Sequence, residues 1–385
     1  MKLVYTLTNG CNSAHADKGL IERSIGKGTR YKLTNNPQCA DILIVLGCGV
    51  TSYALENTKQ IYAKLNEVRK PTSELILSGC ASLIDPSISK GIDLSKVIPT
   101  KTINKAGGIN ELVQTRGIIP TFEADGRFNI KPNNGCEDVC SYCAIPFARG
   151  KLHSYPIEGI IDEIERHISG RKNMQIGFVG EDIGAYGRDI GTNIIELLHA
   201  INLIKGDFKL QVEVINPRWF IEYEELGNVF IEMVQNGRLN PRFGLPIQSA
   251  SNKILKSMRR KYTIEEYQQI IDKLKDHIKI STDILVGFPG ETEEDFRETF
   301  EFLVHNSFAS PFNFYQVMGF SEIPGTKAAR MKDKVSQKEI ERRMKIISTL
   351  LIHQIANAKG CSVGELTDLP ISVNHKNLFG GQNAK

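Results

Sequence analysis

The sequence contains no apolar run that could span a membrane. Its longest, about Ile42 to Leu46, is far shorter than the roughly 20 residues that a transmembrane helix needs. The first residues, Lys2–Thr8, alternate like a β-strand and lack the apolar centre of a secretory signal. These absences argue against membrane-spanning and secreted proteins, so we expect a cytoplasmic protein in which thiols stay reduced.

A strong net charge is also absent. The 385 residues carry a formal net charge of +4, which is compatible with a nucleic-acid partner but does not require one. The basic excess is local, in Lys327–Lys345 and Arg259–Lys261, where solvated helix faces would explain it equally well. The sequence shows no internal repeat and no glycine loop of the Walker type. The apolar fraction of 41% is enough for packed hydrophobic cores. A chain of 385 residues should form two or three domains.

Cysteine chemistry is what the sequence does offer. Cys136, Cys140 and Cys143 have the spacing Cys-x₃-Cys-x₂-Cys. Three thiolates can hold three irons of a 4Fe–4S cluster and leave the fourth iron open, whereas electron-transfer clusters usually take four cysteines. The open position indicates chemistry at iron. Zinc is the alternative, but zinc sites favour paired Cys-x₂-Cys motifs or spaced histidines, and only His153 follows closely. A structural disulfide is a further alternative.

The first ~115 residues alternate between strand and helix patterns, which predicts a doubly wound parallel sheet. The predicted strands are Lys2–Thr8, Asp41–Leu46 and Glu74–Ser78, with the clearest helix at Tyr53–Arg69. One cysteine, preceded by glycine, follows each strand: Cys11, Cys48 and Cys80. Because parallel strands end at one sheet edge, these thiols should converge on a second iron–sulfur site, with the glycines letting the backbone approach the ligand. Coincidence is the competing explanation.

A second alternation follows a connector at about Gly117 to Asp125. Its predicted strands are Arg127–Lys131, Gln175–Val179, Lys209–Val214, Arg242–Leu245, Ile278–Leu285 and Pro311–Gln316. The predicted helices include Glu158–Ser169, Asn193–Ile204, Ile264–Lys275, Glu293–Asn306 and Ser336–Ala358. This pattern indicates a partial (β/α)₆ TIM-like barrel, with the Cys-x₃-Cys-x₂-Cys loop at the carboxyl ends of the strands. We therefore expect an α/β protein with regions 1–118, 122–358 and a short tail, 359–385.

At this point the chain resembles a known family. Cys-x₃-Cys-x₂-Cys with Tyr142 before the last cysteine is similar to the signature of radical S-adenosylmethionine (SAM) enzymes, and the preceding three-cysteine region narrows the resemblance to the methylthiotransferases. The resemblance covers nearly all of residues 1–356. The segments that carry it are Cys143–Gly150, Leu245–Ser251 and Ser281–Thr292. Ser154–Glu158 and Gly180–Asp189 are most similar to the archaeal and eukaryotic branch, which acts on N6-threonylcarbamoyladenosine beside the tRNA anticodon.

The resemblance implies two 4Fe–4S clusters and SAM as cofactors. Cys136, Cys140 and Cys143 would hold the cluster that cleaves SAM reductively, and the resulting 5′-deoxyadenosyl radical would take hydrogen from C2 of the adenine. Cys11, Cys48 and Cys80 would hold an auxiliary cluster that carries the sulfur, which a second SAM methylates. The product would be 2-methylthio-N6-threonylcarbamoyladenosine.

Further candidates are polar residues where the cleft is expected. They are Tyr142, which the signature contains, Glu181 and Asp182 after one strand, Gln248 and Ser249 after another, and Asp283 near the end of a third. We expect these residues to contact SAM, although helix capping and loop hydrogen bonds would also explain the polar ones. Arg149 and Arg218 are candidates for a phosphate or carboxylate contact, with salt bridges as the alternative.

The expected partners are the tRNA anticodon loop, a reductant such as flavodoxin or ferredoxin, and no membrane. Family members usually end in a small RNA-binding barrel, TRAM. Residues 359–385 are too few for a closed barrel, so we expect at most a remnant, with a partner protein supplying the RNA grip. Alternative functions are methylthiolation of isopentenyladenosine in tRNA, methylthiolation of a ribosomal-protein aspartate, or a non-catalytic iron–sulfur or zinc module that binds RNA.

Overall fold

The computed structural model describes residues 1–26, 30–84, 97–99, 118–308, 312–359 and 362. The chain divides into two compact units. The first comprises Met1–Glu213 with Ser321–Ala329, and the second comprises Val214–Phe320 with the residues from Arg330 onward. The predicted tail, 359–385, lies almost entirely outside the described residues.

The first unit is mixed α/β. Its strands are β1 (Lys2–Thr8), β2 (Tyr31–Leu33), β3 (Ile42–Gly47), β4 (Glu74–Gly79), β5 (Val97–Pro99), β6 (Thr121–Ala124), β7 (Arg127–Ile130), β8 (Asn133–Asn134), β9 (His153–Ser154), β10 (Met174–Phe178) and β11 (Phe208–Val212). Its helices are α1 (Asn12–Gly26), α2 (Ser52–Val68), α3 (Ala81–Ile84), α4 (Ile145–Arg149), α5 (Ile157–Ile168) and α6 (Ile194–Asn202).

A parallel sheet of order β2-β1-β3-β4-β5 forms the amino-terminal part. Its central strand, β3, is buried along its whole length, as expected for a strand covered on both faces. Leu20, Ile21 and Ile25 of α1 pack on one face, and Leu65 of α2 packs on the other. Helices on both faces confirm the predicted doubly wound sheet.

A second sheet in this unit has the order β11-β10-β7-β6. β10 pairs in parallel with β7 and β11, whereas β6 is antiparallel to β7. The prediction of a plain connector at about Gly117 to Asp125 was therefore wrong for its described part. β6 has little apolar alternation of its own, and its strand pairing depends on the neighbouring β7.

The second unit contains three parallel strands and the helices around them. Its elements are α7 (Arg218–Glu222), α8 (Leu226–Gln235), β12 (Arg242–Gly244), α9 (Asn252–Ser257), α10 (Ile264–Leu274), β13 (Lys279–Val286), α11 (Glu293–Phe308), β14 (Phe312–Gly319) and α12 (Gln337–Lys359). The strand order is β12-β13-β14. A capping box of Thr263 and Glu266 explains where α10 begins.

Helix α12 packs closely on β13 and β14 because two glycines leave room for it. A Cβ at Gly287 would lie 2.2 Å from Ile340 Cγ1, and one at Gly319 would lie 2.7 Å from Ile340 Cγ2. Buried Arg343 pairs with Glu291 at 2.7 Å, and Arg342 pairs with Glu293 and Glu339. Part of the basic segment Lys327–Lys345 is thus neutralised within this unit.

No helix of the described residues has the length and apolar character that crossing a membrane requires.

Candidate functional site

The Cys136–Cys143 loop leaves the short strand β8 and enters α4. β8 pairs with β9 in antiparallel register, Asn133 opposite Ser154, which fixes the entry to the loop. Gly135 has a φ of +83°, and a Cβ there would lie 2.4 Å from Lys151 O. Only glycine tolerates both conditions, so Gly135 allows the backbone before Cys136 to pass close to that of Lys151.

Backbone amides point at two of the sulfurs in this loop. Asp138 N lies 3.4 Å from Cys136 Sγ, and Ile145 N lies 3.4 Å from Cys143 Sγ. The Cys143 amide also donates to Cys140 O at 3.1 Å, closing a turn between the two cysteines. N–H donors to sulfur favour the thiolate form that binds iron. The local geometry therefore suits metal-bound thiolates.

The Cys136 thiol lies in a buried, acidic environment. Its Sγ is 3.6 Å from Asp182 Oδ2, and burial together with the Asp182 charge raises the pKa of Cys136. A bound metal cation offsets both effects, because metal ligation deprotonates thiols. The environment accordingly favours either a protonated thiol or a metal-bound thiolate.

The amino-terminal cysteines all lie where strands of the first sheet end, as predicted. Cys11 precedes α1, and its carbonyl accepts from Ala14 N at 2.8 Å; Cys80 precedes α3, and its carbonyl accepts from Ile84 N at 3.0 Å. Cys48 N donates to Asn9 Oδ1 at 3.1 Å, and Thr58 Oγ1 donates to Cys48 O at 2.8 Å. Asn9 therefore ties the loop after β1 to the loop after β3.

The glycines before these cysteines allow close packing within the protein. A Cβ at Gly10 would meet Ala14 Cβ at 2.4 Å, and a Cβ at Gly47 would meet Thr58 Cγ2 at 2.2 Å. Gly79 has a φ of +87°, and its Cβ would meet Gly47 O at 2.5 Å. These glycines let the strand ends approach helices and each other, and the predicted approach to a ligand stays a prediction.

The three amino-terminal thiols share one electrostatic environment. Burial raises the pKa of Cys80 to about 12 and also raises the pKa of Cys48; the charge of Cys11 contributes to both shifts. Arg149 acts in the opposite direction on both thiols. Three mutually repelling soft donors beside one cation suit an iron–sulfur cluster.

Within the part of the chain that the structure describes, no three His, Cys, Asp or Glu side chains could hold one metal ion. In a 4Fe–4S cluster each cysteine ligates a different iron. Cluster sulfurs therefore lie farther apart than the ligands of a single ion.

A direct contact joins the two cysteine regions. Cys80, which follows β4, and Ile84 of α3 pack in one apolar cluster with Ala144 and Ala148, from the α4 end of the Cys136–Cys143 loop. Helix α3 thus lies against α4 within the first unit. The contact brings the chain segments that carry Cys80 and Cys143 next to each other.

The first unit also contains a buried ion cluster of Asp17, Lys131, Arg149 and Glu181. Lys131 Nζ is 3.1 Å from Asp17 Oδ1 and 3.3 Å from Glu181 Oε1. Arg149 Nε is 3.0 Å from Glu181 Oε1, and Arg149 also pairs with Asp17. All four side chains are at most 4% exposed, and the two cations match the two carboxylates.

Two members of this cluster were missed at the level of sequence. Asp17 lies on α1 among buried Ala14, Leu20 and Ile21, so a charge within an apolar helical stripe was the available signal. Lys131 directly follows β7. Their ion-pair partners identify Asp17 and Lys131 as structural charges that link α1 to the residues after β7 and β10 within the first unit.

The predicted SAM contacts Glu181 and Asp182 lie in the loop after β10. Glu181 accepts from Gly135 N at 3.1 Å and from Ser13, and the nearby cations Arg149 and Lys131 hold its pKa at about 2 despite burial. Its carboxylate is thus already occupied by protein donors. Asp182 contacts Cys136, and Tyr142 is half-buried between Ser141 and Cys143.

The remaining predicted residues, Gln248, Ser249 and Asp283, lie in the second unit. Gln248 has a φ of +69°, and its buried Oε1 has no hydrogen-bond partner among the described residues. Ser249 is buried and accepts from Ser251 N at 3.2 Å. Burial raises the pKa of Asp283 to about 6. Buried Arg218 places its guanidinium 3.8 Å from the Trp219 ring centroid.

Comparisons with known proteins agree with this arrangement. A sequence model described as the Radical SAM superfamily matches residues 130–303, and one described as "Uncharacterized protein family UPF0004" matches residues 3–93. The threonylcarbamoyladenosine tRNA methylthiotransferase MtaB of Thermotoga maritima is 31% identical over 368 residues, covering 90% of this chain and 81% of that protein. The chain belongs to the radical SAM methylthiotransferase family.

Other members of the radical SAM methylthiotransferase family are similarly close. A Methanocaldococcus jannaschii protein named "Probable threonylcarbamoyladenosine tRNA methylthiotransferase" is 32% identical, covering 90% of this chain and 82% of its own length. A tRNA-2-methylthio-N(6)-dimethylallyladenosine synthase from Buchnera aphidicola is 30% identical, covering 89% and 82%. Membership in the radical SAM superfamily implies SAM and a 4Fe–4S cluster as cofactors.

Among solved structures, the radical SAM methyltransferase TsrM of Kitasatospora setae superposes with a TM-score of 0.61 at 13% sequence identity. The match covers 85% of this chain and 77% of that chain. At this identity the likeness concerns the fold alone, and it confirms the predicted radical SAM architecture of parallel α/β layers.

Proposed function

We propose that this protein is a tRNA methylthiotransferase that converts N6-threonylcarbamoyladenosine, next to the anticodon, to its 2-methylthio derivative. The observation that carries the proposal is the pair of three-cysteine sets joined by the α3–α4 contact. The names of the T. maritima and M. jannaschii relatives support the substrate, as do the segments Ser154–Glu158 and Gly180–Asp189.

In this proposal each trio binds one cluster. Cys136, Cys140 and Cys143 hold the 4Fe–4S cluster at which SAM binds, and Cys11, Cys48 and Cys80 hold the auxiliary cluster. When bound, the cofactors supply the one-electron chemistry needed at the adenine C2–H bond, which no acid or base of the protein activates. The chain itself orients the thiolates through Asp138 N and Ile145 N.

Gln248 is the strongest additional candidate for a SAM or substrate contact. Its side-chain oxygen is buried without a protein partner, and an unsatisfied buried oxygen is costly unless a ligand donates to it. Its left-handed backbone is held by Gln248 N donating to Asp283 O and by Leu285 N donating to Gln248 O, both at 2.8 Å. Tyr142, Asp182, Ser249 and Asp283 remain proposals for SAM contacts.

The substrate is tested by analysing tRNA nucleosides. The chain is expressed anaerobically in a bacterial host that lacks its own tRNA methylthiotransferases, and digested tRNA is examined by mass spectrometry. We expect 2-methylthio-N6-threonylcarbamoyladenosine with the intact chain and none with Cys136→Ala. Its absence in both, with the protein soluble and cluster-loaded, would contradict this substrate.

Methylthiolation of isopentenyladenosine is the second candidate, since the Buchnera relative carries that activity in its name. The same nucleoside digest distinguishes the two, because the products differ in mass. Accumulation of only the methylthio-isopentenyl nucleoside would reassign the substrate while keeping the reaction.

The cluster assignment is tested by iron and sulfide content after anaerobic reconstitution. Two 4Fe–4S clusters give about eight irons per chain. The triple variants Cys11→Ala/Cys48→Ala/Cys80→Ala and Cys136→Ala/Cys140→Ala/Cys143→Ala should each retain about four. An unaltered amount of iron in the first variant would remove the auxiliary cluster from the proposal.

The proposed partners follow from the reaction. They are tRNA and an electron donor such as flavodoxin or ferredoxin.

A further inference from the structure

Arg149 occupies an unusual position for a fully charged side chain. It ends helix α4, six residues after Cys143, and its side chain is 1% exposed. Asp17 and Glu181 fix the guanidinium from two sides, with Nε 3.0 Å from Glu181 Oε1. A buried cation held this firmly keeps its charge and its place.

Packing places this cation beside the amino-terminal cysteines. Ala148, the residue before Arg149, lies in one apolar cluster with Cys80. Asp17, which binds the Arg149 guanidinium, lies on the helix that begins directly after Cys11. Arg149 is therefore bounded by segments that carry two of the three amino-terminal thiols.

The electrostatics agree with this placement. The Arg149 charge lowers the pKa of both Cys80 and Cys48, opposing the burial that raises them. Lys131, the other cation of the buried ion cluster, instead donates to Asn134 Oδ1 at 2.5 Å and lies between Asp17 and Glu181. Arg149 is thus the cation of this cluster that acts on both thiols, and Glu181 opposes it at Cys80.

We propose that Arg149 is a positioning residue for the auxiliary cluster: its buried guanidinium, fixed by Asp17 and Glu181, offsets the negative charge of the Cys11, Cys48 and Cys80 thiolates. The inference rests on the proposed function, because it takes that trio to hold a 4Fe–4S cluster. The reduction potential of such clusters depends on the net charge around them. A nearby cation favours the reduced, more negative form, so it raises the midpoint potential.

The test uses a background that contains only the auxiliary cluster, Cys136→Ala/Cys140→Ala/Cys143→Ala. Removing Arg149 alone would leave Asp17 without its second cation, and breaking one side of a buried ion pair is strongly destabilising. The test variant is therefore Asp17→Asn/Arg149→Met in this background, which leaves the Lys131–Glu181 pair intact. Arg149→Lys retains the charge, and Asp17→Asn alone controls for the lost carboxylate.

Each reconstituted protein is assayed for iron per chain and for midpoint potential by redox titration with electron paramagnetic resonance. We expect the midpoint of Asp17→Asn/Arg149→Met to be more negative than that of Asp17→Asn, because these two proteins differ only in the Arg149 charge. The midpoint of Arg149→Lys should stay close to that of the parent. Loss of iron from the double variant alone, with circular dichroism unchanged, would also support the charge requirement.

A second buried arginine provides a matched control. Arg343 is 5% exposed and pairs with Glu291 in the second unit, so Glu291→Gln/Arg343→Met in the same background should leave the midpoint unchanged. An Asp17→Asn/Arg149→Met protein with the iron content and midpoint of Asp17→Asn would overturn the inference. A parent protein that binds no iron would instead overturn the auxiliary cluster of the proposed function.

Discussion

At the residue scale, similar side chains have different roles because their partners differ. Cys39 is an exposed thiol in the described structure, whereas Cys80 is buried beside Arg149 and against α4. Spacing in the sequence predicted this distinction, because Cys80 follows a strand of the parallel sheet and Cys39 does not. Spacing alone did not predict the buried partners Asp17 and Lys131, which depend on tertiary contacts.

The two cysteine sets should be separable by single substitutions. Cys136→Ala should abolish both SAM cleavage and thiolation, because it removes a ligand of the SAM-binding cluster. Cys48→Ala should keep SAM cleavage, measured as 5′-deoxyadenosine, while losing methylthio product. Cys39→Ala serves as the control and should behave as the parent. Equal loss of SAM cleavage in the Cys136 and Cys48 variants would refute this division.

Asp283 should make stability fall as pH rises. Burial raises its pKa to about 6, so the folded chain keeps this proton at pH values where the unfolded chain has lost it, and folding is opposed once the carboxyl ionises. In urea unfolding, Asp283→Asn should gain stability over the parent by about 1 kcal/mol more at pH 8 than at pH 5. A stability difference independent of pH would show that Asp283 titrates normally.

At the element scale, periodicity predicted the long strands and helices well. The predicted helices at Ile264–Lys275 and Ser336–Ala358 correspond to α10 and α12, because amphipathic patterns and caps are local signals. The short pair β8–β9 and strand β6 were not predicted. These strands are defined by hydrogen bonds to their pairing partners. Two to four residues are too few to show the alternation of apolar and polar residues from which a strand is predicted.

The close packing of helix α12 against β13 and β14 should depend on the absence of a side chain at Gly287. Gly287→Ala adds a Cβ 2.2 Å from Ile340 Cγ1 at a φ of +76°, so both overpacking and backbone strain apply, at about 1–3 kcal/mol for the overpacking. Gly126 has a φ of +71° with nothing within 4 Å, so Gly126→Ala measures the backbone strain alone.

Unfolding in urea compares the two glycine variants. Gly287→Ala should lose more stability than Gly126→Ala. The loss caused by Gly287→Ala should be smaller in an Ile340→Ala background, because that substitution removes Cγ1, the atom that the new Cβ meets. Equal losses in both variants would mean that α12 moves freely away from the new methyl group.

At the scale of the whole molecule, sequence patterns predicted the fold class and the position of three cysteines at strand ends. They did not predict that the first compact unit extends to Glu213 and thereby includes all of one matched family segment, 3–93, and part of the other, 130–303. That grouping arises from contacts such as α3 on α4 and from the buried ion cluster, whose members are distant in sequence.

Exposure to air should inactivate the protein. A cluster with one iron open to small ligands is also open to oxidants, so protein handled aerobically should lose iron and SAM-cleaving activity together, and anaerobic reconstitution should restore both. The measurement is iron per chain and 5′-deoxyadenosine formed before and after exposure. Full activity after aerobic purification would contradict the open-site assignment.

The buried pairing of Asp17 with Lys131 and Arg149 limits how the chain can be divided. In a fragment ending before residue 119, the Asp17 carboxylate would have neither of its two cations. In the complementary fragment, Lys131 and Arg149 would have only the Glu181 carboxylate as a partner. Each fragment would then carry an uncompensated charge at positions that are buried in the intact protein. If the protein evolved by fusion of two independently folding parts, the residues of this buried ion cluster would have had to change after the fusion.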